Sequence, residues 1–231
     1  MKKFIMLITA TFCFLSFSPK TNYRAHYGTD YEDALKFLKD NKKAFSNASR
    51  TYGIEEKALK AVVFPELMRY NLLQNLIETE ALELMYIYAG TKKVDFSIGY
   101  FQMKPSFAEK LEEIVAENDP SLENFQSICS YGNLTEEKAI RKKRLERLSD
   151  LEWQLKYLSA FYKIAESKLS KNQSKIAQLK KIAAYYNCGL KRSEAELEKL
   201  MQRASFPYGY SVKAKNQHVY SDISEYYYNQ P

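Results

Sequence analysis

A chain of 231 residues with only seven Gly and six Pro has little material for the tight turns of an all-β fold. Lys, Glu, Leu and Ala are abundant, so a mainly α-helical domain is expected. The formal net charge of +7 suits an anionic polymer, nucleic acid or a membrane surface and does not choose among them. His26 and His218 are the only histidines and no Gly-rich phosphate loop is present, so no metal and no cofactor is expected.

Lys2 and Lys3 precede an apolar run, Phe4 to Phe17, that is short for a bilayer span, and Ser16 and Ser18 supply a small-x-small site. Residues 1–18 therefore read as a signal peptide cut after Ser18, with an uncleaved N-terminal anchor as the other reading. Phe12 directly before Cys13 argues against a lipidated cysteine. Export to the periplasm or cell envelope follows, and it argues against nucleic acid as a partner. Cleavage removes Lys2 and Lys3 and leaves 33 basic residues against 28 acidic, a net charge of +5. Cys129 and Cys188 remain; an oxidising compartment would let them pair, and two free buried thiols fit equally well.

Residues 19–29 have no apolar period and read as a flexible leader, with residues 30–231 as a single domain. Asp30 can cap a helix over 30–49 that places Ala34, Leu35, Leu38 and Phe45 on one side, and Gly53 breaks it. A helix from about residue 54 carries Leu59, Val62, Val63 and Leu67, apolar nearly all round towards its end, as for a helix driven into a core. Pro65 should bend or end it near residues 64–67. Residues 71–89 read as a third helix closed by Gly90, and 91–96 as a loop or short strand.

Helical spacing resumes near Met103, with Pro105 suited to the first turn, and runs to about 118. Residues 120–135 are the least regular interior segment. The basic run 138–147 reads as a solvated helix face, or as a patch for an anionic polymer. Residues 151–169 form a strong amphipathic pattern, and Ser174 caps a further helix over 175–186 that Gly189 closes. A short charged helix over 193–203, a loop at Pro207 and Gly209, and a last helix over 219–228 complete the chain.

Three stretches carry candidate chemistry. Val62, Val63, Phe64, Leu67 and Met68 surround Glu66 with apolar groups, the setting that raises a carboxyl pKa and lets it deliver a proton. Ser97-Ile98-Gly99-Tyr100-Phe101-Gln102 is a Ser-x-Gly-x-x-Gln turn followed by Met103 and Pro105. In it Gly99 permits a positive φ or a close backbone approach, Gln102 can donate and accept, and Ser97 can cap the next helix. Tyr186-Asn187-x-Gly189 ends another helix. Each has a plain alternative: a surface glutamate, a common turn, and a buried Tyr beside a helix stop.

In that order the three stretches resemble the lytic transglycosylase branch of the lysozyme-like superfamily, over roughly residues 54–189 with a tail to 228. The resemblance implies a lysozyme-like helical domain with a substrate groove, acting as a monomer on peptidoglycan glycan strands. It implies Glu66 as the single general acid/base cleaving MurNAc–GlcNAc bonds to leave 1,6-anhydro-muramic acid ends. Ser97, Gly99, Gln102, Tyr186 and Asn187 would contact substrate, and Tyr220 stands where the family often has a further groove tyrosine. Partners in the envelope or a secretion machine are compatible with it.

The chain departs from the family in having Leu67 where a Ser usually follows the acid, Pro65 before it, and an apparent inserted helix over 71–89. Asp95 is a second carboxylate near the Gln turn. In the related goose-type lysozymes an acid near that place is tied to hydrolysis, so a hydrolase in which Asp95 activates water is an alternative, beside a structural role for Asp95. A non-catalytic glycan-binding envelope protein is a further alternative, and nineteen Tyr would serve sugar stacking in either.

Overall fold

The computed structural model describes residues 21–73, 79–117, 119–207, 213 and 216–231. The expected signal peptide and the start of the leader lie outside them. The described residues are mainly helical: α1 Tyr23–Tyr27, α2 Thr29–Asp40, α3 Lys42–Tyr52, α4 Glu56–Leu73, α5 Thr79–Ala89, α6 Pro105–Ala116, a 3-10 helix Pro120–Ile128, α7 Glu137–Ser149, α8 Leu151–Ser167, α9 Lys175–Cys188, α10 Glu194–Leu200 and α11 Tyr220–Tyr228. Among them there is no strand, only isolated bridges at Ile98–Met103 and Phe206–His218.

Helix α4 is buried all round in its middle, with Leu59, Ala61, Val62, Val63, Phe64, Leu67 and Met68 in the core. It packs against α2, α3, α9 and α11. Helix α8 is the second core element and supplies Leu155, Tyr157, Leu158, Phe161 and Ala165. Helix α4 has no polar face in its middle and α8 turns its apolar stripe inwards, so these two sequences dictate the centre of the fold.

Pro65 does not end α4, which continues to Leu73. A proline cannot donate to the carbonyl four residues earlier, here Ala61. The next carbonyl, Val62 O, accepts from the Tyr220 hydroxyl at 2.9 Å, so α11 braces α4 at the interrupted turn. Residues 71–73 consequently extend α4, and the helix read over 71–89 begins, within the described residues, at Thr79.

Other elements also differ from the sequence reading. Residues 23–27 are not a loose leader: Asn22 caps α1 by accepting from Ala25 N at 3.1 Å, and Tyr23 is buried edge-on to Tyr226. Aromatic contacts hold this segment, so no aliphatic period announced it. The helix read over 30–49 is two helices meeting at Asn41, whose side-chain amide donates to Phe37 O at 2.9 Å, and Gly28 rather than Asp30 is the N-cap.

The basic run is only partly solvated. Lys138, Lys142 and Lys143 are exposed, but Arg144 and Arg147 are buried. Glu112 of α6 accepts from Arg144 Nη2 at 2.7 Å, from the Tyr157 hydroxyl at 2.6 Å and from the Tyr131 hydroxyl at 2.5 Å. Arg144 Nη1 also donates to the Tyr86 hydroxyl at 2.6 Å, so one buried charge pair ties α5, α6, α7 and α8 together. Arg147 donates to Ile128 O at 2.8 Å and lies 4.1 Å from the ring centres of both Tyr131 and Trp153. Cys129 and Cys188 are free.

Candidate functional site

A cavity of about 560 Å³ opens beside the middle of α4 and is lined by residues of α4, α6, α9 and the loops before α6 and after α9. It brings together Glu66, Asp95, Gln102, Tyr186 and Asn187, residues up to about half the chain apart. Its size is that of a small-ligand site.

Glu66 is 4% exposed, and burial pushes its carboxyl up to about 7 from the ordinary 4.5. Arg69, one turn on, places Nη1 3.5 Å from Oε2, and it and Lys104 act in the opposite direction without cancelling the cost of desolvation. The carboxyl can therefore hold a proton near neutral pH, as a general acid must.

Four hydrogen bonds hold the Gln102 loop. Ile98 N and Met103 O pair at 2.8 Å, and Met103 N and Ile98 O at 3.0 Å, closing a tight loop over residues 99–102. Gln154 of α8 accepts from Phe101 N at 2.9 Å, and the Tyr186 hydroxyl of α9 donates to Phe101 O at 2.7 Å. Gln102 itself has φ +52°, the only positive φ among the described non-glycine residues. Such a backbone costs on the order of 1 kcal/mol and persists where neighbours over-determine it. Gln102 Nε2 donates to Gly99 O at 2.9 Å, which leaves its second amide proton and its carbonyl oxygen for a ligand.

Gly99 has φ +67°, and a Cβ there would lie 2.1 Å from Gln154 Nε2 and 2.5 Å from Leu148 O. The absent side chain makes room for α8 and the end of α7, and Gly99 does not line the cavity. Ser97 does not line it either, and it does not cap α6, which begins eight residues later at Pro105. That capping falls to Asp95, whose Oδ1 accepts from Ser106 N at 3.1 Å and Oδ2 from Ser106 Oγ at 2.7 Å. Asp95 lines the cavity with both oxygens already engaged.

Tyr186 lines the wall, edge-on to Phe107 and Phe161, and its hydroxyl anchors the loop carbonyl. Asn187 Oδ1 is buried and has no hydrogen-bond partner among the described residues, leaving an acceptor for an incoming donor. Tyr220 is buried against Phe206 behind α4, off the cavity, where it acts on Val62 as described above.

Sequence reasoning missed Gln154 and the cationic rim of Lys104, Lys110, Lys191 and Arg192. Gln154 carried a signal: it sits at helical spacing from Leu151, Leu158 and Phe161, a polar residue on an apolar stripe. Among the described residues no cluster of His, Cys, Asp and Glu is arranged to hold a metal ion. Compared with protein-family models, with curated proteins and with solved structures, the chain finds no match.

Proposed function

We propose that this protein is an exported enzyme with a lysozyme-like groove that cleaves peptidoglycan glycan strands as a lytic transglycosylase. The observation that carries the reading is a single carboxyl, Glu66, raised to about 7 by burial on the wall of a cavity that Gln102, Tyr186 and Asn187 share. Those are the side chains on which the family resemblance rested.

In this reading protonated Glu66 gives its proton to the glycosidic oxygen as the bond to the muramic acid C1 breaks. The resulting carboxylate then takes the proton from that sugar's own C6 hydroxyl, whose oxygen closes on C1 to form the 1,6-anhydro ring. Glu66 ends protonated, ready for another turnover, and no water is consumed. Gln102 and Asn187 would hold the hydroxyl or acetamido groups of the sugar, and Tyr186 would back the loop. The cationic rim suits a glycan whose peptide stems carry carboxylates.

A water-using hydrolase would need Asp95 to accept a proton, and each of its oxygens already accepts one hydrogen bond from Ser106, which makes it a weaker base. The deciding experiment digests purified peptidoglycan with the mature protein and with Glu66→Gln, and reads the fragments by mass spectrometry. Anhydro-muramic ends from the parent alone support the proposal; reducing ends move the chemistry to hydrolysis. Retained glycan binding with no cleavage by either protein leaves a binding module.

A further inference from the structure

Helix α5 turns an apolar face outwards. Ala81, Leu84, Met85 and Tyr88 recur at the i, i+3, i+4, i+7 spacing of one helix stripe, and all are exposed. Leu84 is 57% exposed, Met85 49% and Tyr88 65%, three of the five large apolar side chains that stand out on the described surface. The opposite side of the helix provides Tyr86 to the core, with Leu82, Glu83 and Ile87 half-buried. An amphipathic helix with one buried face ordinarily shows polar groups on the other. This one does not.

Cations lie towards the Tyr88 end of the stripe. Lys138 of α7 lies 4.5 Å over the Tyr88 ring, and Lys142, one turn along the same helix, is exposed. Arg141 between them donates to Ile87 O at 3.2 Å while paired with Glu137, fixing α7 against the end of α5. Lys92 and Lys93, both exposed, follow α5 directly. Against these four lysines stand three exposed acids, Glu80 at the edge of α5 and Glu136 and Glu137 at the start of α7, the last paired with Arg141.

We propose that the outer face of α5, with the lysines of α7 and of the following turn, docks on an anionic lipid bilayer. An apolar stripe bordered by lysines is the chemistry of a helix that lies in the plane of a membrane, the apolar side chains entering the acyl boundary and the cations meeting lipid phosphates. No helix among the described residues is long and apolar enough to cross a membrane. Two copies meeting through this face would bring like charges together. The proposal is independent of the cavity, since none of these residues lines it.

The test is sedimentation of the protein with vesicles of phosphatidylglycerol mixed into phosphatidylcholine, beside vesicles of phosphatidylcholine alone. Binding should require the anionic lipid and weaken with salt. It should also weaken roughly five-fold for each of Lys138→Gln and Lys142→Gln. Leu84→Glu/Met85→Glu should abolish it with the thermal unfolding curve unchanged, because both side chains are already in water. A Leu84→Trp reporter should shift its emission to the blue on the same vesicles. Equal binding to both vesicle types, no binding to either, or a concentration-dependent dimer that Leu84→Glu dissolves overturns the proposal.

Discussion

The Tyr186 hydroxyl donates to the Phe101 carbonyl at 2.7 Å, joining the end of α9 to the loop that presents Gln102. With Gln154 holding Phe101 N from α8, the residue before Gln102 is fixed at both its backbone groups. The cavity's polar wall is therefore set by packing between helices before any ligand arrives.

Replacing Glu66 by Gln keeps the shape and removes the transferable proton. Peptidoglycan cleavage should fall by roughly a hundred- to ten-thousand-fold. Stability should move the other way. The folded pKa of about 7 lies above the ordinary 4.5, so the parent binds the extra proton only when folded between those values. That stability is complete below about pH 4.5 and is lost as pH rises through 7. Urea unfolding should show Glu66→Gln gaining on the parent by roughly 3 kcal/mol between acid and mildly alkaline pH.

On the proposed reading the same carboxyl should set the pH profile. Cleavage should decline on the alkaline side with a midpoint near 7, where Glu66 loses its proton. Arg69 favours the ionised form, so Arg69→Met should move that midpoint upwards. A midpoint that stays in place would show that another group governs the limb.

Asp95→Asn separates the two reaction types. An Asn side-chain oxygen can still accept from Ser106 N, so α6 keeps its cap. Transglycosylase turnover should stay within about three-fold of the parent. A loss of about a hundred-fold with the protein still folded would make Asp95 a base.

Gly99→Ala should cost roughly 2–4 kcal/mol, measured by the denaturant midpoint, because the added carbon meets Gln154 and a backbone carbonyl at a positive φ. A Gln154→Ala background should recover part of the loss, leaving the clash with Leu148 O and the unfavourable φ.

Arg144→Met should cost roughly 3–5 kcal/mol by leaving Glu112 buried without its charge partner. Adding Glu112→Leu should restore part of that, since removing both charges spares the desolvation penalty. Thermal unfolding of the single and double variants measures the difference.

The apolar sequence of α4 and the spacing along α8 made the helical core legible, because in both helices the apolar residues recur over several turns and are buried there. Glu66, Gln102, Tyr186 and Asn187 were legible as candidates because each breaks its surroundings: an acid among aliphatics, or a polar residue at a turn. Gly99 and Tyr220 stand off the cavity because their partners are remote in sequence, whereas Ser97 gives way to an acid only two residues before it. Gly99 answers to Gln154 and Leu148, Tyr220 to Val62, and the cap assigned to Ser97 belongs to Asp95. The course of α4 through Pro65 was hidden for the same reason, since its brace comes from α11. The buried half of the basic run was hidden too: Arg144 reads as solvated until Glu112, 32 residues earlier, is seen beside it.

The α1 segment pinned by aromatic rings has a topological consequence. Asn22 accepts from the Tyr226 hydroxyl at 2.9 Å although 204 positions separate them, so the described chain closes almost into a ring. A short linker joining residue 21 to residue 231, with new termini opened in the turn between α8 and α9, should give a circular permutant that keeps the cavity intact. A bulky group fused directly at residue 21 or at residue 231 would instead press on the same seam, between α1 and α11.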